Sequence, residues 1–143
     1  MSSRRRAREI ALQVLYQLDL NPGDPDESLE LYEDQLGIPK DTYAFVRLLV
    51  KGVSRKRNLI DRIIEGASYN WRLNRMAVVD RNIIRIGVFE ILFCDDIPPK
   101  VSINEAVELA KKFGSQDSKA FVNGVLDRIY NLHNPNEEIA IRG

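Results

Sequence analysis

Cysteine and histidine are almost missing from this chain of 143 residues, which contains one of each, Cys94 and His133. A lone cysteine cannot form an internal disulfide, and the pair cannot supply the ligand set of a structural zinc site. Long apolar runs are missing too, since no stretch approaches the roughly 20 residues that span a bilayer. No apolar block follows the N-terminal arginines as it would in a signal peptide. We therefore predict a cytoplasmic protein that binds no metal, no cofactor and no membrane.

The signature sequences of common enzyme classes are also absent. The chain has no Gly-x-x-x-x-Gly-Lys-Ser/Thr, Gly-x-Gly-x-x-Gly, His-Glu-x-x-His or Gly-x-Ser-x-Gly motif. His133 lies beside a proline near a helix end, as solvated or capping histidines do, and Cys94 is most simply a small buried hydrophobe. Asp95 and Asp96 are adjacent but have no companion ligand motif. The sequence predicts a binding protein that is not an enzyme.

The two-residue alternation of β-strands is the third missing pattern. Apolar residues recur at helical spacing instead, in the first helix at Ala7, Ile10, Ala11, Val14, Leu15 and Leu18. We predict an all-α fold, a compact bundle of six to seven helices in two subdomains. Residues 1–143 are expected to form one domain, with an N-terminal half of about 1–66 and a C-terminal half of about 74–133.

Breakers and glycines set the expected helix boundaries in the first half. The segment "NPGDPD" should end the first helix, and a short acidic helix should follow it and stop at Gly37. Asp41 is the expected cap of one long helix that continues to Ile64. Gly52 lies within the apolar stripe of that helix, where we expect another helix to approach closely.

In the second half, "SINE" is a candidate capping box, in which Ser102 would accept from the Glu105 amide and Glu105 would reach back. This predicts that a helix begins at Ser102 and ends at Gly114. Ser115 or Asp117 is then expected to begin the last helix.

Charge is balanced in total, with 21 basic and 21 acidic residues, but it is unevenly distributed. "SSRRRAR" begins a helix that Ser2 or Ser3 can cap. Four arginines fall in its first turns, at Arg4, Arg5, Arg6 and Arg8. Positive charge at the positive end of a helix dipole is unfavourable, and so is crowding of like charges. We therefore predict an anion-binding site there.

An aromatic residue follows the arginines on the same helix. Tyr16 lies three turns after Arg5 on the same side, opposite the apolar stripe and together with Leu12. Arginines that neutralise phosphates, beside a ring on which an unpaired base can stack, are typical of single-stranded RNA recognition. The alternative is that Leu12 and Tyr16 pack against a second layer of helices.

Two further surfaces have both a functional and an ordinary interpretation. At the start of the last helix, free amides with Ser115, Ser118 and Lys119 could hold a phosphate or base edge next to Phe121, or could form an ordinary cap beside a boundary aromatic. A basic stripe has the spacing typical of a solvated helix face. Its members are Arg47, Lys51, Arg55 and Arg62.

Three long segments resemble the NusB family of bacterial transcription antitermination factors. They are "RRRAREIALQVLYQLDL", "DRNIIRIGVFEILF" and "IPPKVSINEAVELAKKFGSQDSKAFVNGVLDRI". The resemblance implies an all-α, non-catalytic protein that binds the boxA element of nascent RNA, above all in ribosomal RNA operon leaders. It also implies a partner, the small-subunit ribosomal protein NusE, and assembly with other Nus factors and RNA polymerase.

The resemblance also implies roles for particular residues. The family's arginine-rich RNA-binding motif falls on the four N-terminal arginines, with Tyr16 after them. Its second RNA-contacting segment falls on Asp117, Lys119 and Phe121. Many relatives have a lysine directly before that phenylalanine, where this chain has Ala120. Asp80 occupies an acidic position on the side where NusE is expected to dock. Self-association into a homodimer, through the surface that RNA otherwise covers, stays open.

Salt dependence indicates why a partner would be needed. If the four arginines each neutralise one phosphate, affinity falls roughly fiftyfold between about 50 and 200 mM salt. A second protein that extends the surface would offset this loss. Two other interpretations stay open: a non-catalytic scaffold that binds an acidic protein, and a stand-alone relative of the RNA-binding domain of RNA methyltransferases.

Overall fold

The computed structural model describes residues 3–68 and 72–133. Within those ranges the chain forms seven α-helices and no strand, which confirms the predicted all-α fold. The helices are α1 (Ser3–Leu20), α2 (Pro25–Leu36), α3 (Lys40–Arg55), α4 (Arg57–Ala67), α5 (Val78–Phe93), α6 (Pro99–Phe113) and α7 (Ser118–His133), with a 3-10 turn at Leu73–Arg75. In this described part, none of the helices is both long and apolar enough for a membrane crossing. Ser2, one of the two expected caps of α1, lies outside the described residues.

Helix α5 lies at the centre of the bundle. Residues 82–90 are all buried, and α5 packs against α1, α3, α4, α6 and α7. Its buried residues are mostly apolar, as expected of an enclosed helix, but they include Asn82, Arg85 and Glu90, which need polar partners from other helices. A single cluster of buried apolar side chains includes residues of all seven helices. The division into halves of about 1–66 and 74–133 stays a prediction.

The expected single helix from Asp41 to Ile64 is wrong. Helix α3 ends at Arg55 and α4 begins at Arg57, with Lys56 between them at φ −99° and ψ 9°. The amide of Lys56 still donates to the Gly52 carbonyl at 3.0 Å, and the Lys56 carbonyl accepts the first hydrogen bond of α4 at 2.9 Å. Because hydrogen bonding and apolar spacing both continue across the junction, the sequence pattern conceals the break.

Two expected caps are also wrong, and proline explains both. Pro39 takes the cap position of α3, so Asp41 lies in the first turn. Helix α6 begins at Pro99, three residues before Ser102. Proline suits a helix start because its missing N–H would have no partner there. The side chains of Ser102 and Glu105 therefore do not cap α6, and both bind other helices instead.

Two glycines do what the sequence predicts. Gly37 ends α2 with φ +58°, a left-handed conformation that favours glycine. Gly52 lies where α3 meets α5, and a Cβ atom added there would overlap the ring of Phe89. The close approach of these two helices therefore requires glycine.

Candidate nucleic-acid interface

The structure separates the four N-terminal arginines into one buried and three exposed side chains. Arg8 is 4% exposed, whereas the arginines at positions 4 to 6 are exposed. The Nε and Nη2 atoms of Arg8 each donate to the Glu90 carboxylate of α5 at 2.8 Å. The Ser102 hydroxyl of α6 donates to the same carboxylate at 2.8 Å. The expectation that Arg8 contacts RNA is therefore corrected: its guanidinium is held by Glu90 and fixes α1 against α5 and α6.

Arg5 is oriented by an acid of α6. Its Nε and Nη2 atoms donate to the two Glu105 oxygens at 3.1 and 2.7 Å, and Arg8 donates to the same carboxylate at 3.2 Å. Hydrogen bonding from Arg5 lowers the pKa of Glu105 more than burial raises it. The side chain of Arg5 stays 48% exposed while that of Glu105 is 12% exposed. The carboxylate thus lies beneath the guanidinium, which faces solvent.

Arg4 and Arg6 complete the exposed group. The Arg4 Nη2 atom lies 3.0 Å from an Asp96 oxygen, and its guanidinium carbon lies 4.7 Å from the centroid of the Phe45 ring. Arg6 is exposed and forms no ion pair with any residue in 3–68 or 72–133. Asp96 and Glu105 therefore neutralise part of the positive charge of the N-terminal arginines.

The opposite end of α1 is anchored by a second buried ionic network. The Asp19 side chain, 5% exposed, accepts hydrogen bonds from Arg81 at 2.7 Å, Asn82 at 2.9 Å and Arg85 at 3.0 Å. Burial alone would raise the pKa of Asp19, but the hydrogen bonds from Arg81 and Asn82 and the charge of Arg85 hold the pKa well below its ordinary value. Helix α1 is thus fixed to α5 at both ends and can act as a rigid support.

Because its pKa is lower in the folded chain than in the unfolded one, ionised Asp19 stabilises the fold at neutral pH. That contribution disappears as the pH falls below the ordinary carboxyl range, since protons then bind the unfolded state preferentially. We expect Asp19→Asn to be less stable than the parent at pH 7 and to lose less stability, by about 2 kcal/mol, between about pH 5 and 2. Urea unfolding across this range measures it. The exposed Asp34→Asn should keep the parent's pH dependence, and equal curves for all three proteins would contradict the assignment.

A groove between α1 and α6 begins at Arg5. Its volume is about 330 Å³, and its lining includes Arg5, Glu9, Glu105, Lys111 and Lys112. The Nζ atom of Lys112 lies 2.9 Å from a Glu9 oxygen and 5.4 Å from the centroid of the Phe113 ring. Neither lysine stands out in the sequence, because basic residues in the last turn of a helix are already explained by the helix dipole.

Tyr16 lines a second cavity, of about 330 Å³, together with Tyr32, Val79 and Phe113. The Tyr16 side chain is 36% exposed, so a base could reach its ring. Leu12 was expected on the same outer face, but it is 3% exposed, because other helices pack on more than one side of α1. The alternative interpretation is therefore correct for Leu12, and RNA contact by Tyr16 stays a prediction.

Phe121 is half-buried and lines a third cavity, of about 310 Å³, with Asp117, Asp80, Met76 and Arg75. Asp80 is 9% exposed, and its Oδ1 atom has no hydrogen-bond donor within the described ranges. A buried carboxylate oxygen without a donor is costly, so this cavity suits a cationic or N–H group from a partner.

Helix α7 begins at Ser118, and the Asp117 carbonyl accepts its first hydrogen bond, from the Phe121 amide at 3.2 Å, so the expected start at Asp117 agrees with the structure and the one at Ser115 does not. The Ser118 hydroxyl accepts a hydrogen bond from the Ser115 amide at 2.9 Å. Lys119 is exposed in the first turn, beside exposed Asp117. The two serines therefore bind each other, and phosphate contact at this helix start, by Lys119 in particular, stays a prediction.

Neighbouring residues link the three cavities to one another. Lys112 of the first lies over Phe113 of the second, and Val79 of the second directly precedes Asp80 of the third. We call this surface the basic–aromatic face. It is defined here by residues that line the cavities (Arg5, Lys111, Lys112, Phe113, Tyr16, Asp80, Asp117 and Phe121) and by exposed cations close to them in the chain (Arg4, Arg6 and Lys119). Cations combined with accessible rings are typical of helical proteins that bind nucleic acid.

Comparison with known proteins gives this class its family. The sequence model described as the NusB family matches residues 5–131. A transcription antitermination protein NusB from Syntrophus aciditrophicus (strain SB) is 48% identical over 139 residues, which cover 96% of this chain and 86% of the relative. The chain belongs to the NusB family, and the resemblance seen in the sequence is confirmed.

Solved structures agree with this assignment. A T. maritima NusB structure superposes with a TM-score of 0.87 at 38% identity, covering 96% of both chains. A crystal structure of the antitermination factors NusB and NusE in complex with double-stranded RNA gives a TM-score of 0.85 at 34% identity, covering 93% of this chain and 99% of that one.

Proposed function

We propose that this chain is a transcription antitermination factor that binds boxA RNA of nascent ribosomal RNA transcripts together with NusE, and that the pair joins other Nus factors on RNA polymerase. It acts in the cytoplasm and catalyses no reaction. The observation that carries this proposal is the basic–aromatic face, in which neighbouring cavities link the N-terminal arginines to the segment around Phe121. Membership of the NusB family and the NusB–NusE–RNA complex of a relative support it.

The exposed arginines take the phosphates in this proposal. A phosphate can share the solvent-facing side of Arg5 while Glu105 holds the covered side, so this carboxylate positions the guanidinium for RNA. Such pre-orientation reduces the side-chain entropy that is lost on binding. Arg6, with no ion pair among the described residues, is the most adaptable of the three. Arg8 acts as a positioning residue behind them.

Aromatic residues, acidic residues and one lysine make the remaining contacts in this proposal. Tyr16 and Phe121 stack unpaired bases, and Asp117 and Lys119 contact the RNA next to Phe121. Asp80 takes a basic group of NusE, because its buried Oδ1 atom has no donor within the described part of the chain. We assign residues 1–143 to one RNA-binding domain, with halves of about 1–66 and 74–133, and the core cluster that includes all seven helices supports one domain.

Filter binding with NusE tests the proposal. We expect the pair to bind boxA RNA at least about tenfold more tightly than a scrambled RNA of the same composition, and the chain alone to bind weakly at cellular salt. Equal affinity for both RNAs would contradict the proposal. Binding to an acidic protein through the same arginines, with no RNA binding, would instead favour the scaffold interpretation. Sedimentation with and without RNA would show whether a homodimer competes for this surface.

A further inference from the structure

A second basic groove lies between α3 and α5, outside the basic–aromatic face. It has a volume of about 450 Å³. Its lining residues are Ala44, Arg47, Leu48, Lys51, Gly52, Arg55, Lys56 and Phe89. The ring of Phe89 reaches this groove because Gly52 has no side chain in the way. We call it the α3 groove.

Positive charge exceeds negative charge in the α3 groove. One carboxylate, Asp26 of α2, lies 3.0 Å from Lys51 Nζ and 3.7 Å from Arg47 Nη1. Arg55 and Lys56 are exposed and form no ion pair within residues 3–68 and 72–133. Cations one turn apart on a helix repel each other, so an added anion would relieve this arrangement.

An exposed aromatic ring at the edge of the groove favours RNA over an acidic protein segment. The Lys56 Nζ atom lies 5.0 Å from the centroid of Phe93, which is 38% exposed, and Leu48 is 48% exposed. Single-stranded nucleic acid needs both cations for its phosphates and a ring for its bases. An acidic segment needs only the cations.

The α3 groove begins beside the N-terminal arginines. Arg4 stacks on Phe45 of α3, and its ion-pair partner Asp96 follows Phe93 by three residues. From Phe45 the helix continues to Arg55, a distance of about 15 Å. A strand held by Arg4 is therefore close enough to reach the cations of the α3 groove.

We propose that nucleotides flanking boxA leave the N-terminal arginines and enter the α3 groove, where Arg47, Arg55 and Lys56 hold phosphates and Phe93 stacks a base. This inference rests on the proposed function and extends it to a second stretch of the same single strand. The basic stripe seen in the sequence includes Arg62, which does not line the α3 groove. Lys56, which is not part of that stripe, lines the groove instead. Asp26 acts as an internal competitor for two of the cations.

Extension of the RNA tests this inference with the chain and NusE together. We expect boxA RNA with a short oligouridine extension at one end to bind roughly five- to tenfold more tightly than the boxA core at low salt. Arg47→Gln/Arg55→Gln should lose most of that gain and bind the core as the parent does. Asp26→Asn should increase the gain about twofold, because it removes the competing carboxylate.

A charge-matched control separates the groove from net charge. Lys40→Gln/Arg62→Gln removes two exposed cations outside the groove and should keep the full gain. The inference is overturned if the extended RNA binds the parent no more tightly than the core does, or if Arg47→Gln/Arg55→Gln keeps the gain. In both cases tight core binding would leave the proposed function intact. Failure of the parent to bind the core would instead overturn the proposed function.

Discussion

Arg8→Met is expected to lower the free energy of unfolding by about 3–5 kcal/mol, because it leaves the Glu90 carboxylate buried without its charged partner. Both side chains are almost fully covered, at 5% and 1% exposure, so water cannot replace the lost guanidinium. Ser102 still donates one hydrogen bond to Glu90, which does not neutralise the charge. Urea unfolding at neutral pH measures the loss.

Two further variants show that burial of an unpaired charge is the cause. Arg8→Met/Glu90→Leu removes both charges and should recover most of the lost stability, because apolar pairs of similar volume often replace buried ion pairs at little cost. Arg5→Met breaks an exposed pair and should cost less than about 1 kcal/mol. If Arg8→Met were as stable as Arg5→Met, the buried-pair assignment would be wrong.

The same double variant distinguishes a positioning role from RNA contact. If Arg8 acts only by fixing α1, Arg8→Met/Glu90→Leu should fold and bind boxA RNA with NusE within about threefold of the parent. If the double variant folds but the salt dependence of its RNA affinity shows that one phosphate contact has been lost, Arg8 belongs to the RNA-binding group.

The second large effect is expected on RNA affinity. Arg4→Gln/Arg5→Gln/Arg6→Gln should weaken boxA binding by the NusE pair about thirtyfold or more at low salt, because three phosphate contacts disappear. Stability should change by less than about 1 kcal/mol, since the broken ion pairs are exposed on their arginine side and Glu105 keeps Arg8.

Lys40→Gln/Arg62→Gln is again the control, because it lowers the net charge without changing the basic–aromatic face. It should bind boxA RNA within about twofold of the parent. If the control and the triple variant both lost RNA affinity in proportion to the charge removed, the effect would be a nonspecific field effect. If the triple variant kept its affinity, the three arginines would not be part of the interface.

Local pattern was enough to predict the elements whose causes are local. Helical spacing predicts the buried side of α1, and the left-handed turn that ends α2 is marked by Gly37. Gly52 is predicted for a different reason, since a close approach of two helices also requires a glycine in the sequence. Local pattern failed where hydrogen bonding continues through a change of helix, as at Lys56. It also failed at the start of α6, where Pro99 begins the helix before the apparent capping box.

The ionic partners could not be predicted, because they join residues far apart in the chain. Arg8 and Glu90 are 82 positions apart, and Arg5 and Glu105 are 100 positions apart. Spacing along one helix could not distinguish buried Arg8 from exposed Arg5. The fold alone brings these acids to α1, and with them the division between arginines that face solvent and the one that anchors the helix.

The candidate site was predicted in two separate pieces, and its continuity came from the structure. The arginine cluster and the Phe121 segment each had a sequence signal, but nothing local indicated that Lys112 and Phe113 lie between them. The lysines had a sufficient local explanation in the helix dipole. A basic or aromatic residue with a local explanation can still be part of a site that several helices build together.

The salt dependence of boxA binding tests most directly whether the exposed arginines of α1 hold RNA phosphates. For the NusE pair, the slope of log affinity against log salt should be less steep in Arg4→Gln/Arg5→Gln/Arg6→Gln than in the parent by about 2, or about 0.7 for each phosphate released. Parallel slopes for the two proteins would contradict the account.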